Sequence, residues 1–213
     1  MQSFSKNPNI LQCLDYFDDT RDFCIVTDIM VCDLCDLLID AKRPLTECAA
    51  REIFMGILLA VADLHRNGII HRDIKLENIL LGQVYQDVRL CDFGWATVYD
   101  KKNPPTDQCG TFKFTPPEIL LRKPYDFKVD SWALGFVLYE ILGCGLPFRY
   151  EHPAQYRQAI LFQQVNFSER KIFEHVSPEA KDLIEKLMRK EPKHRIGVEE
   201  ALKHPWFKAK KSK

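Results

Sequence analysis

No stretch of roughly 18 consecutive apolar residues occurs in the 213-residue sequence, which argues against a membrane-crossing helix. The opening residues MQSFSKNPNI also lack the apolar centre of a secretory leader, so the chain is expected in the cytosol or nucleus. Charge of one sign is missing too. Thirty Lys and Arg balance 30 Asp and Glu, which argues against a dedicated nucleic-acid or membrane-surface binder. Glycine is scarce at nine residues, the first at Gly56, and no G-x-G-x-x-G spacing occurs anywhere. Internal repeats and low-complexity linkers are absent. With 28% charged and 11% aromatic residues, the composition is that of an ordinary globular domain long enough for a sizeable core.

What is present is unevenly placed. Residues 1–60 hold five basic against ten acidic side chains, and residues 170–213 hold thirteen against seven. Much of the second excess lies in the tail Lys208–Lys213, which reads as a solvated end. Eight cysteines would permit disulfides, but in a reducing compartment they read as free thiols. Cys32-x-x-Cys35 has metal-like spacing without the second pair or nearby histidine that a tetrahedral site needs.

Two strand-like runs, Ile10–Tyr16 and Phe23–Ile29, flank the polar turn Asp18–Asp22 and predict a hairpin. The pattern then becomes helical. Ile53, Ile57, Val61 and Leu64 repeat at helical spacing within Ala49–Asn67, with Thr46 as N-cap and Gly68 as stop. Further helices are expected over 131–142, 154–164, 180–189 (led by Ser177-Pro-Glu) and 198–203. The fold class is therefore α+β, mostly helical with a small strand element at its start. A lone hairpin is marginal in water, so either further strands pair with it or it lies directly on the helices.

Directly after the long helix comes His71-Arg-Asp73-Ile-Lys75-Leu-Glu77-Asn78. Asp92-Phe-Gly94 follows 14 residues beyond Asn78, and Pro117-Glu118 ends a 27-residue segment that starts at Asp92. Each piece alone is a modest signal. In this order and spacing they resemble the catalytic loop, metal-binding loop and activation-segment end of eukaryotic Ser/Thr protein kinases. The resemblance runs from Asn7-Pro-Asn-Ile10 to His204-Pro-Trp-Phe207. Asp92-Phe-Gly-Trp95, Cys109-Gly-Thr111, Pro116-Pro-Glu118 and Lys128–Gly135 are similar to Aurora kinases. Lys75–Asn78 and His204–Phe207 fit the calcium/calmodulin-dependent group equally well.

The resemblance implies roles that suit phosphoryl transfer from ATP, where the protein supplies positioning and charge rather than covalent chemistry. Asp73 would receive the hydroxyl proton of a protein substrate, Lys75 would contact the γ-phosphate, and Asn78 and Asp92 would hold Mg²⁺. Thr111 would hydrogen-bond Asp73 and Lys75, Asp130 would accept backbone bonds from the catalytic loop, and Glu118 would pair with Arg195. Thr27 would be the gatekeeper, the backbone of Asp28 and Met30 would face adenine, and Leu80 would floor the pocket. Cys91, at its back, is read as an inert buried thiol. Glu77 and Glu140 match carboxylates that read an arginine before the phosphorylated residue. Arg72 would be ordered by Asp107, with Thr106 as a neighbouring phosphorylation candidate.

The same resemblance implies a glycine-rich loop, a strand lysine and a helix glutamate, none of which the sequence contains. Residues 1–30 are thus expected to be the end of the smaller lobe, 31–207 a helical lobe, and 208–213 a basic tail. Two readings follow: a Ser/Thr kinase acting in basic sequence contexts, or a kinase-like domain that binds partners and transfers phosphate poorly.

Overall fold

The computed structural model describes residues 7–18, 22–148, 152–168 and 171–208. Most of the basic tail and part of the turn Asp18–Asp22 lie outside the described residues. Strands β1 (Cys13–Asp18) and β2 (Phe23–Thr27) pair antiparallel into a two-stranded sheet of their own, with an irregularity between Cys13 and Asp15. The expected hairpin is there, though shorter than the apolar runs. Ile10 instead makes an isolated bridge to Leu90. Every residue of β1 is exposed, so the hairpin does not lie flat on the helices.

After β3 (Cys32–Asp33), Asp33 caps α1 (Leu34–Ala41) by accepting from the Asp36 amide at 2.8 Å. The sequence reading missed this short helix, whose eight residues hold too few turns for a periodic signal. The long helix α2 (Glu47–Arg66) starts at the expected cap, where the Thr46 hydroxyl accepts from the Ala49 amide. Its apolar stripe, with Ile53, Ile57, Val61 and Leu64, is buried. Behind it come β4 (Ile69–Ile70), β5 (Ile79–Leu81), β6 (Val88–Leu90) and β7 (Thr97–Val98). β3-β5-β6 form one antiparallel sheet and β4-β7 another. These short ladders bracket the loops after His71 and after Cys91.

The second half is helical: α3 (Pro117–Leu120), α4 (Lys128–Gly143), α5 (Pro153–Phe162), α6 (Pro178–Leu187) and α7 (Val198–Ala201). α4 is buried continuously from Val129 to Tyr139, so it is the central rod of the core rather than an amphipathic surface helix. Gly135 is required there, because a β-carbon would collide with Met188 beside α6. Helices α5, α6 and α7 all end before the apolar runs suggested. A 3₁₀ turn over Pro205–Lys208 closes the lobe by burying Trp206, whose indole donates to Glu47 at 2.7 Å.

Candidate active site

Four loops converge at one end of the core. The loop after β4 is anchored by Asp130, which sits fully buried near the start of α4. Its carboxylate accepts the backbone amides of His71 and Arg72, each at 2.9 Å, and the His65 ring nitrogen at 2.8 Å. Burial alone would raise the Asp130 pKa; the bond and charge of His65, with His71, outweigh it and hold the carboxyl below its ordinary range. Burial pushes the His71 imidazole down, so it is a neutral part of the scaffold. Asp130 does what the sequence implied; His65 was not foreseen, since nothing in a helical stripe marks the one histidine that faces an acid across the core.

Held this way, the loop presents Asp73, 5% exposed. Its Oδ1 accepts the Thr111 amide at 2.9 Å and the Thr111 hydroxyl at 2.8 Å. Its Oδ2 accepts Lys75 Nζ at 2.8 Å and Asn78 Nδ2 at 3.2 Å. Asn78 Nδ2 also donates to the Asp73 carbonyl at 2.8 Å, and Lys75 Nζ to the Thr111 hydroxyl at 3.1 Å. Burial would raise Asp73, but the bonds from Lys75 and Thr111 outweigh it and keep it ionised at neutral pH. Asp73, Lys75, Asn78 and Thr111 therefore form one hydrogen-bonded cluster. A carboxylate has about four lone-pair sites, and four donors occupy them here.

Asp92 stands apart from that cluster, exposed, with its Oδ1 accepting its own Gly94 amide at 3.1 Å. Its backbone is left-handed at φ 58°, as is that of Arg72 at φ 68°. Cys91 behind it, half-buried, has a thiol pushed up to about 11, by burial first and then by Asp92. The donor set suits a hard cation. One free carboxylate at Asp92 and the Asn78 amide oxygen are oxygen ligands of the kind Mg²⁺ shares with substrate phosphates.

The activation segment meets the loop through Arg72. Its Nη1 donates to Asp107 Oδ2 at 2.8 Å and to the Tyr125 hydroxyl at 2.9 Å, and its Nε donates to the Trp95 carbonyl at 2.6 Å. Asp107 thus faces Arg72, and Thr106 is exposed beside it. Tyr125 and the Trp95 carbonyl were missed, the latter because a backbone acceptor leaves no trace in sequence. Burial raises the Tyr125 phenol well above its ordinary value, so it stays a donor. Gly110, at φ 76°, lets the chain pass so close to Arg72 that a β-carbon would collide with the Arg72 carbonyl oxygen.

The structural pair also forms. Arg195 meets Glu118 at 2.6 and 3.0 Å with both side chains buried, and its remaining donors reach the carbonyls of Lys128, Arg189 and Lys190. Burial pushes the Glu140 carboxyl up to about 7, with Glu77 adding to the rise and Lys113 opposing it. No described residue hydrogen-bonds its buried Oε2. Glu77 and Glu140 are thus electrostatic neighbours. The expected adenine-side residues are more open: Thr27 and Asp28 are exposed, Met30 and Leu80 half-buried. The Thr27 hydroxyl donates to the Asp28 carbonyl, and the Asp28 carboxylate pairs with Arg89. Among the described residues, no group of three or more His, Cys, Asp or Glu could hold a metal. No helix among them is long and apolar enough to cross a membrane.

The sequence matches the protein kinase domain over residues 1–207. It is 37% identical over 210 residues to an Aurora kinase of Schizosaccharomyces pombe, covering 97% of this chain and 57% of that protein. An Aurora kinase of Yarrowia lipolytica is 36% identical over 212 residues, covering 97% and 54%. The Xenopus laevis hormonally up-regulated neu tumor-associated kinase homolog B is 34% identical over 212 residues, covering 97% and 33%. The chain spans about half the length of the Aurora kinases it matches.

Proposed function

The chain belongs to the protein kinase family, and from that premise we propose that it transfers the γ-phosphate of ATP to Ser or Thr hydroxyls of protein substrates, in the manner of Aurora-type kinases. The observation that carries this reading is the closed hydrogen-bond cluster of Asp73, Lys75, Asn78 and Thr111. In the proposed assignment, Asp73 orients the acceptor hydroxyl and takes its proton. Because its four acceptor sites are filled, an incoming hydroxyl must displace one donor. Lys75 is the mobile one: on a flexible stem, it can move to a phosphate oxygen without disturbing the backbone. Thr111 keeps the carboxylate aimed meanwhile. Asn78 and Asp92 would hold Mg²⁺, and Thr27, Asp28, Met30 and Leu80 would border the adenine. Bound Mg-ATP supplies the phosphoryl group and neutralises the charge that develops on it.

Residues 1–30 then correspond to the last strands of the nucleotide-side lobe, 31–207 to the catalytic lobe and 208–213 to a basic tail. For substrates, the Glu77 and Glu140 carboxylates favour a guanidinium before the phosphorylated residue, a geometry that lysine matches less well. The second reading is a kinase-like domain that binds nucleotide or protein partners and transfers phosphate poorly. Radiolabelled ATP and a basic peptide distinguish the two. Transfer by the chain that falls about 10²–10⁴-fold in Asp73→Asn while nucleotide binding persists supports the enzyme. Nucleotide or peptide binding with no transfer above an Asp73→Asn baseline supports the binding protein. A peptide library without enrichment of Arg or Lys before the acceptor removes the Glu77–Glu140 assignment.

A further inference from the structure

The 3₁₀ turn Phe112–Phe114 brings a cation to the Glu77 and Glu140 carboxylates without pairing it to either. Phe114 is buried and meets Phe136 of α4 edge-to-face, with ring centroids 5.6 Å apart. Glu140 lies four residues further along α4, one turn on and on the same helix face. Between exposed Phe112 and buried Phe114 sits Lys113, itself exposed and so placed at the Glu140 end of that face. The charges agree with this placement, since Lys113 opposes the rise that burial and Glu77 impose on the Glu140 carboxyl. The Lys113 backbone is pinned from outside. The Tyr156 hydroxyl on α5 donates to the Lys113 carbonyl, and the Phe112 and Tyr156 rings lie 5.8 Å apart. Arg157, next along α5, donates to the Leu120 carbonyl at 3.2 Å, so one helix holds both ends of the stretch 113–120.

Opposite charges within reach of one another gain by pairing, yet Lys113 forms no ion pair with a described residue. Glu140 is recessed, with a buried Oε2 that no described residue hydrogen-bonds. A cation on an exposed stem and an anion sunk in the lobe are thus held apart by the backbone, each with bonding capacity left over. We propose that Lys113 is a specificity-determining residue, and that the ligand satisfying both charges is a peptide of mixed sign, with a guanidinium for Glu140 and Glu77 and a carboxylate for Lys113. This rests on the proposed kinase reading for the place of the acceptor hydroxyl. Thr111, two residues before Lys113, bonds Asp73, so a peptide whose hydroxyl reaches Asp73 passes beside Lys113. A uniformly basic peptide brings its further positive charges against Lys113, and that repulsion selects against it. Tyr156 is a positioning residue that acts through the Lys113 carbonyl.

The test is binding of the fluorescently labelled 213-residue chain to arrayed peptides with a central Ser. The peptides carry Arg or Ala before the Ser, with Asp, Ala or Lys scanned through the other flanking positions. Peptides with both Arg and Asp should bind best, about two- to fivefold above their Ala counterparts at one or two scanned positions, with Lys there weakest. In Lys113→Glu the order at those positions should invert, and in Lys113→Ala it should flatten, while the preference for Arg persists in both. Tyr156→Phe, which keeps the ring and removes the donor, should lie between wild type and Lys113→Ala. Lys113 is exposed, so its variants are expected to fold. An order of Asp over Lys that is unchanged in Lys113→Glu overturns the inference and leaves the Glu77–Glu140 assignment standing. So does a wild-type array with no preference for Asp at any position. Absence of any preference for Arg overturns it too, and removes the Glu77–Glu140 assignment with it. No phosphoryl transfer enters the readout, so a failed transfer assay and a failed charge preference are separate results.

Discussion

The loop that carries Asp73 and the hairpin β1–β2 sit near one another in sequence order but solve opposite problems. In the loop, polar groups are buried and nearly every one has a partner within the chain: Asp73 has four donors and Asp130 three. In the hairpin, apolar groups are exposed and have few partners: Leu14, Tyr16, Phe17, Phe23 and Ile25 are each at least half exposed. Burying a polar group without partners is costly, whereas exposing apolar surface costs only the burial it forgoes. The loop that carries Asp73 is thus well supplied with hydrogen-bond partners, and the hairpin is not self-sufficient in packing.

Substitutions can break that contrast, and the largest effect belongs to the buried pair. Glu118→Ala leaves the Arg195 charge enclosed and should lower unfolding stability by ~3–5 kcal/mol in denaturant titration. A loss under 1 kcal/mol would mean that the helical half tolerates unpaired buried charge, and the contrast would fail. Next comes Asp130→Asn, which keeps one oxygen acceptor but removes the charge facing His65 and two amides. About 1.5–3 kcal/mol should be lost, together with protection of the His71 and Arg72 amides in hydrogen exchange.

Glu140 sharpens the comparison because it is a carboxylate with one buried oxygen that no described residue hydrogen-bonds. Its folded value of about 7 lies above the ordinary 4.5, so between those values the folded state holds more protons than the unfolded state. Stability should therefore fall as pH rises from about 4.5 to 7, with the groups facing Glu140 being Glu77, Lys113 and Cys35. Glu140→Gln should raise the melting temperature at pH 8, by the equivalent of ~1–2 kcal/mol, and make little difference at pH 4.5. A pH-independent difference would place the cause in packing rather than ionisation. The smallest effect is expected in the hairpin. Phe17→Ser or Ile25→Thr should change stability by no more than about 0.5 kcal/mol. A loss of 2 kcal/mol would show that the hairpin is packed in solution, against a second copy or another molecule.

The same contrast explains what could be read from the sequence. Asp73, Lys75, Asn78, Asp92, Glu118, Asp130 and Arg195 were legible because side-chain chemistry at fixed spacing is a property of the string. The long helix α2 was legible from Ile53, Ile57, Val61 and Leu64. His65, Tyr125 and the Trp95 carbonyl were not, because each becomes relevant only through a neighbour 23 to 65 residues away. Helix α1 escaped because eight residues hold too few turns for a periodic signal. One helix end was overestimated where an apolar residue follows the last turn, as at Leu202, which packs on the core outside α7.

Asp92 has a consequence beyond its chemistry. It holds a left-handed backbone that glycine would adopt without steric cost, at an exposed position where its side chain accepts from the Gly94 amide within its own turn. Asp92→Gly would relieve on the order of 1 kcal/mol of steric conflict. A library screened for thermal survival alone would therefore drift toward glycine at this position and discard the exposed carboxylate along the way. Under the Mg²⁺-holding role proposed for Asp92, screening for survival and screening for phosphate transfer pull this single position in opposite directions, which makes residue 92 a sensitive reporter of which demand a lineage has answered to.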